Sequence, residues 1–318
     1  MPAPIAIAVV SWNTRDLLVN CLGSIEPEVQ DGRAEAWVVD NASEDGSADL
    51  VRRRFGWAHL IASESNLGFG QAVNLVAERT ANPWIAPANT DVELVPGALE
   101  RLLEAGDHRP RAGALAPQLL LPDGSTEHSV YRFPTFTFGM LFNSGVYRLS
   151  PRLADRLCLE GRWDPERPRQ VDWAIAAFLL VRRAAWEDCG GFNTEQWMYA
   201  EDLDLGWRLA RSGWTTRYVP EAKVRHRSGA ATQLAWGSET APRWMASTYA
   251  WMLRTRGIPI TRAVATVNIA GALLRWALFA VAAAIRPHPW RERRNAMRVW
   301  VGLHRIGLRS RRRLAQHR

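Results

Sequence analysis

The chain has 318 residues, 47% of them hydrophobic and 23% charged, with a net charge of +8, which excludes a disordered or fibrous protein and suits one α/β domain with an appended region. Eleven arginines against the single Glu292 give the segment from Arg286 to the end a net charge of +10. The positive charge is therefore a property of the tail, and the body of the chain is slightly acidic.

Ile5 to Val10 is a continuous apolar run that opens into the polar Ser11, Trp12, Asn13 and Thr14, the pattern of a buried parallel strand ending in a loop. Its lack of a charged leader and a cleavage site gives no expectation of a secretory signal. Helical spacing follows over Asp16 to Ile25, and Ala36 to Val39 repeats the strand pattern, ending in Asp40, Asn41 and a Ser/Glu/Asp/Gly cluster before a helix over Ala48 to Arg54. A third strand at His59 to Ala62 leads through Asn66, Gly68 and Gly70 into a helix ending at Arg79; the glycines permit close approach of a ligand to the backbone. Trp84 to Ala88 reads as a fourth strand that delivers Asn89, Thr90 and Asp91 before Pro96 starts a helix. Ligands of open α/β sheets bind outside the carboxyl ends of the strands, and a carboxylate there suits a divalent cation bridging to phosphate. Taken singly, each loop is equally a turn and a helix cap.

Trp197 to Arg211 places Glu201, Asp202 and Asp204 at the mouth of a helix whose apolar side is Leu203, Trp207 and Ala210. The positive end of the helix dipole favours ionised carboxylates, and a fixed ionised carboxylate is a usable general base; capping of the first turn is the alternative. Thr215 to Val219, a turn at Pro220 and Lys223 to His226 return the chain toward the same loops. Cys21, Cys158 and Cys189 are widely spaced, without metal-ligand spacing, and read as reduced thiols in a cytosolic environment.

Ala263 to Ile285 is strongly apolar over 23 positions but contains Asn268 and Arg275. An arginine near the middle makes a poor transmembrane helix. A helix or hairpin lying in the membrane interface fits better, with residues 263–318 facing an anionic membrane surface and Trp276, Trp290 and Trp300 at the interfacial belt. Packing on the rest of the chain or on a second copy, as a homo-oligomer, is the alternative.

The segments VVSWN, VVDNASEDGS, NLGFGQAVN, NTD, the run from Val171 to the GGF of Gly190 to Phe192, AEDLDLGWRL and VRH resemble, in order and spacing, family 2 inverting glycosyltransferases, most closely the rhamnosyltransferase-like branch. No single motif is specific, but seven in the right order are. The resemblance covers roughly Ile5 to Gly229. It implies an α/β GT-A (Rossmann-like) mixed sheet flanked by helices over residues 1–229, with a nucleotide-binding half (1–117) and an acceptor and catalytic half (118–229). Residues 230–318 then form a helical, basic, membrane-associating extension.

The resemblance implies roles position by position. Asp40 matches the aspartate that binds the nucleotide base, and Ser11, Asn41, Asn66, Gly68 and Asn89 fall in segments lining the nucleotide-sugar pocket. Asp91 matches the last acid of the metal motif and His226 a histidine completing the metal site, so a divalent cation, Mg²⁺ or Mn²⁺, is the implied cofactor. Asp202 matches the base, with Glu201 beside it. Asn89 replaces the first aspartate of the motif, and Ala176 stands where many relatives have glycine. The implied reaction moves a sugar, on the branch resemblance rhamnose from its dTDP donor, to a hydroxyl of a lipid-linked or polysaccharide acceptor at the cytoplasmic face of the membrane. The insertion at 118–169 and the aromatics Tyr131, Phe133, Phe136, Phe138, Trp163, Trp173 and Trp197 are candidate acceptor elements, with core packing as the alternative for the aromatics. A sugar-nucleotide pyrophosphorylase would carry a glycine-rich, Lys- and Arg-bearing first loop, which Ser11 to Thr14 is not. A silent relative binding a partner through its arginines is the other rival; no specific nucleic acid is expected.

Overall fold

The computed structural model describes residues 3–196, 199–227 and 240–309. By packing, the chain forms two compact units: residues 1–132 with 163–237, and residues 133–162 with 238–318. This grouping runs differently from the expected boundary at 229, because residues 133–162 pack on the C-terminal helices.

The first unit begins β1 (Ile5–Ser11), α1 (Arg15–Gln30), β2 (Ala34–Asp40), α2 (Ser47–Arg54), β3 (His59–Ala62), α3 (Phe69–Arg79) and β4 (Trp84–Asn89). Strand, helix and parallel strand alternate because continuous apolar strands need a helix on each face. On β1, Ile5, Ile7 and Val9 enter a core with Leu18, Leu22 and Ile25 of α1 and Val51 of α2. Successive strand residues point to opposite faces, so Ala6 and Ala8 turn to the other side, where their small size admits α3. The sheet continues through β5 (Val92–Leu94), α4 (Ala98–Asp107) and β6 (Ala112–Leu120). Pro96 does not itself start α4: Gly97, at φ 82°, turns the chain and the helix begins at Ala98.

After the short β7 (Val130–Tyr131) come α5 (Phe136–Ser144) and α6 (Pro151–Arg156), then β8 (Arg169–Val171), β9 (Trp173–Ala174), β10 (Leu180–Arg182), α7 (Arg183–Cys189), α8 (Glu201–Arg211) and β11 (Thr215–His226). The main sheet has nine strands in the order β3-β2-β1-β4-β10-β6-β11-β5, with β8 on β11. It is mixed: β10 runs antiparallel to β4 and β6, and β5 antiparallel to β11. Pro220 does not break the last strand; the register with β6 shifts between Val219 and Lys223 and β11 continues to His226. A bulge absorbs a proline where a regular ladder would lose a hydrogen bond.

The second unit holds α5, α6, α9 (Thr240–Thr255), α10 (Gly257–Ile285) and α11 (Pro287–His304). Residues 136–156 thus contain two helices, although their sequence shows no clear period; Thr135 and Ser150 cap them by accepting from the Phe138 and Leu153 amides. At 29 residues, α10 is long and apolar enough to cross a membrane by length and composition. Two of its polar residues, Asn268 and Arg275, meet α5. Asn143 on α5 donates to Asn268 Oδ1 at 2.8 Å and accepts from Arg275 at 2.9 Å, and its side chain fills the space that a Cβ on Gly271 would occupy. The outward stripe, including Leu273, Leu274, Leu278, Val281 and Ile285, is exposed and apolar. Trp300 is exposed, whereas Trp276 and Trp290 are half-buried, Trp290 against Phe279.

Candidate active site

The carboxyl ends of the parallel strands meet at one edge. Ser11 is in register with Asp40, Asp40 with Ala62, and Val10 with Asn89, so four chain segments far apart in sequence deliver their loops side by side. Ser11 Oγ lies 3.3 Å from Thr14 Oγ1, which accepts from Thr90 Oγ1 at 2.9 Å. Asp40 Oδ2 accepts the Ser43 amide at 3.1 Å, and Asn41 donates to the Gly68 carbonyl at 3.3 Å. Asp40 Oδ1 and Asn41 Oδ1 are buried without a hydrogen-bond partner. Buried acceptors are normally paired, so these two suit a ligand that brings its own donors. Asn66 Oδ1 accepts from the Gly68 amide at 2.9 Å, and Gly68 holds φ 78° at the start of α3.

Gly70 serves packing rather than ligand approach. A Cβ there would stand 2.8 Å from the Phe192 side chain, and Asn74 clamps Phe192 by accepting its amide at 2.9 Å and donating to its carbonyl at 2.8 Å. The glycine-rich turn and the GGF segment are thus two halves of one contact.

Asp91 and His226 meet across the antiparallel β5–β11 pair, where His226 is in register with Val92. His226 Nε2 is 3.3 Å from Asp91 Oδ1, which makes no hydrogen bond, and Nδ1 is 2.6 Å from Glu127 Oε2. Burial opposes charging this imidazole, but Asp91 and Glu127 outweigh it and hold its pKa up to about 9. Among the described residues no group of three or more His, Cys, Asp or Glu is arranged as a metal cage. A buried carboxylate oxygen with spare capacity nevertheless fits a hard cation that takes one or two protein ligands and completes its shell with phosphate and water, the imidazole giving up its Nε2 proton if it is to serve as the second ligand. Glu127, absent from the sequence reading, holds the second ring nitrogen as a carboxylate partner does for a metal-bound histidine. Its only signal was position, beside β6 in a stretch without period.

Glu201 and Asp202 open α8. The turn before them holds two consecutive non-glycine residues, Tyr199 and Ala200, at φ 61° and 63°; such conformations cost of order 1–3 kcal/mol each and cluster at functional sites. Asp202 Oδ1 accepts the Leu203 amide at 2.8 Å. Glu201 Oε2 is buried without a partner. Burial opposes ionisation of this pair. Burial pushes Asp202 up to about 6, and burial with the neighbouring Asp202 charge pushes Glu201 up to about 8.

Two further expectations about α8 change. Asp204 does not join the pair at the cleft: it is buried and bonded to Arg208 Nε at 2.7 Å. The packed face is Leu205, Gly206 and Leu209 together with Leu203, while Trp207 is half-buried and Ala210 exposed. Gly206 explains this rotation, since a Cβ there would lie 2.5 Å from Trp173 Cβ and 3.0 Å from the Asp172 carbonyl. Of the candidate aromatics, Tyr131 stacks on Trp173 at 4.5 Å and Trp163 packs edge-on to Tyr218. Phe133, Phe136 and Phe138 belong to the second unit, and Trp197 lies outside the described residues.

Comparison with known proteins agrees with this arrangement. The sequence model described as "Glycosyl transferase family 2" matches residues 6–144, and "Glycosyltransferase like family 2" matches residues 166–247. The chain is 35% identical over 210 residues to an N-acetylglucosaminyl-diphospho-decaprenol L-rhamnosyltransferase of Mycobacterium tuberculosis, covering 61% of this chain and 67% of that one. It is 39% identical over 56 residues to the rhamnosyltransferase WbbL of Escherichia coli, covering 18% and 21%. Among solved structures, the mannosyltransferase PcManGT of Pyrobaculum calidifontis, in complex with GDP-Man and Mn²⁺, superposes with a TM-score of 0.60 at 18% identity over 97% of this chain and 87% of that one; this likeness bears on the fold. With the matched family models, the relatives and the mixed sheet in agreement, the chain belongs to glycosyltransferase family 2 and is rhamnosyltransferase-like.

Proposed function

We propose that this glycosyltransferase transfers rhamnose from a dTDP donor, with inversion, to a hydroxyl of a lipid-linked acceptor carrying a sugar diphosphate. The observation that carries the reading is the Glu201–Asp202 pair at the strained start of α8. Asp202 accepts the Leu203 backbone amide, and a pKa of about 6 leaves it ionised yet basic near neutrality, where a general base works best. Asp202 takes the proton of the acceptor hydroxyl as that oxygen attacks the anomeric carbon from the side opposite the leaving diphosphate. Glu201 stands next to Asp202 instead of facing it, which favours a single displacement.

Asp40, Asn41 and Ser11 hold the base and ribose end of the donor, while Asn66, Gly68 and Asn89 border its sugar and diphosphate. Asp91 and His226 would hold a divalent cation, which would supply positive charge to the departing diphosphate; the Mn²⁺ of the mannosyltransferase PcManGT supports a cation of this kind. The decaprenol-linked substrate in the name of the mycobacterial relative supports the acceptor class. The outward apolar stripe of α10 and the arginines beyond it support peripheral attachment at the cytoplasmic face of the membrane, with a bilayer covering the stripe.

The test is incubation of the full chain with dTDP-rhamnose, UDP- and GDP-sugars, Mg²⁺ or Mn²⁺, and a prenyl-diphospho-N-acetylglucosamine. A metal-dependent rhamnosylated lipid with inverted anomeric configuration is expected. Transfer only from another donor, or retention of configuration, contradicts the proposal.

A further inference from the structure

The second unit carries a cationic cluster separate from the carboxylate and cation residues described above. The Phe142 and Tyr147 rings lie parallel, 5.8 Å apart. Three guanidinium groups converge on them: Arg148 at 5.8 Å and Arg162 at 5.7 Å from the Tyr147 centroid, and Arg275 at 5.5 Å from that of Phe142. Arg148 also donates to the Tyr147 hydroxyl at 3.4 Å, and Arg275 to Asn143. Among the described residues, none of the three arginines forms an ion pair with a carboxylate. Like charges gathered on one aromatic pair repel, and the ring faces offset only part of that. An anion with several oxygens is the complement such a cluster calls for, since guanidinium forks suit phosphate.

The surroundings specify what carries the phosphate. Leu149, next to Arg148, is 86% exposed, and Val146 on the same turn is 41% exposed. Leu274 and Leu278 flank Arg275 in sequence on α10 and belong to its exposed apolar stripe. Phosphate-binding arginines bordered by unpartnered apolar side chains match an amphipath, not a free ion. A second copy of the chain is a poorer occupant, because it would bring two strongly basic tails together.

We propose that Arg148, Arg162 and Arg275 bind the diphosphate of a prenyl-diphosphate lipid whose hydrocarbon chain lies along the outward face of α10. This rests on the lipid-linked acceptor reading above. The test uses the full chain in detergent micelles and metal-free buffer, with farnesyl diphosphate, inorganic diphosphate and phosphatidylglycerol vesicles as probes. Farnesyl diphosphate is expected to bind, and Arg148→Ala/Arg162→Ala to weaken it by about tenfold or more, in line with losing charge-assisted hydrogen bonds. Arg148→Lys/Arg162→Lys, which retains the charge, is expected to fall between the two and to keep the wild-type melting curve. Inorganic diphosphate should bind at least about tenfold more weakly than the prenyl compound. Unchanged affinity in the alanine pair overturns the site. Equal binding of inorganic diphosphate overturns the lipid assignment, and a parallel loss of vesicle binding reduces the cluster to general attraction for anionic surfaces. Metal-dependent hydrolysis of the nucleotide sugar, measured separately in the same variants, should stay at the wild-type level; its absence from the wild type would sink the transferase reading and not the lipid site.

Discussion

Asp91 Oδ1 and His226 Nε2 stand 3.3 Å apart, one on the loop leaving β4 and the other closing β11. The contact exists only because β5 and β11 pair antiparallel at their ends. With Glu127 on the far side of the imidazole, the three form a line of acid, imidazole and acid, in which the outer carboxylate sets the ring orientation.

Asp91→Asn is expected to lower kcat/KM by about a hundredfold or more, the scale of losing much of the stabilisation a cation gives a leaving diphosphate. Glu127→Gln is expected to act differently: the apparent affinity for Mn²⁺ falls by about ten- to a hundredfold while kcat at saturating metal stays near wild type. Metal titrations of steady-state rate separate the two. A kcat loss in Glu127→Gln that excess metal does not restore contradicts the positioning role.

Glu201 links the site to stability. In the unfolded chain it ionises near 4.5, whereas in the fold its pKa is raised to about 8. The folded state thus favours the protonated acid, and this advantage is lost as pH rises through the window from about 4.5 to about 8. Glu201→Gln is expected to melt close to wild type near pH 5 and a few degrees higher than wild type near pH 9. Equal melting temperatures across that range would show that Glu201 carries no burial penalty.

Gly206 sets how closely α8 approaches β9. Gly206→Ala drives a methyl into Trp173 and the Asp172 carbonyl, so a destabilisation of about 1–3 kcal/mol is expected, with loss of transfer because Asp202 sits one turn away on the same helix. Chemical denaturation measures the first and the transfer assay the second. A variant as stable and as active as wild type contradicts the close-packing account.

Much of this was legible in the sequence because apolar runs and polar loops alternate so regularly. Strand β3 falls at His59–Ala62 as expected, and the loop residues Ser11, Asp40 and Asn89 align because each directly follows a buried strand core. What escaped reading depends on pairs of residues remote in sequence. The inward side of α8 could not be found from Leu203, Trp207 and Ala210, since it is fixed by a missing Cβ at Gly206 against Trp173 and by Asp204 turning inward to meet Arg208. The helix dipole, a local effect, is readable at the start of α8, whereas the burial that raises both carboxyl groups is a tertiary effect. Gly70 reads as a ligand-facing glycine until Phe192 appears over it. Pro220 reads as a turn, yet the long strand absorbs it with a bulge.

The central claim is that Asp202 is the general base, and the most direct test is transfer by Asp202→Asn under saturating donor, acceptor and metal. The account predicts that kcat falls by about 10²–10⁴-fold while the variant binds the nucleotide sugar as wild type does. It also predicts that the wild-type rate rises with pH along a limb near 6, a limb that is missing from the variant's residual rate. Transfer by Asp202→Asn at the wild-type rate, or with the same acid limb, would contradict it.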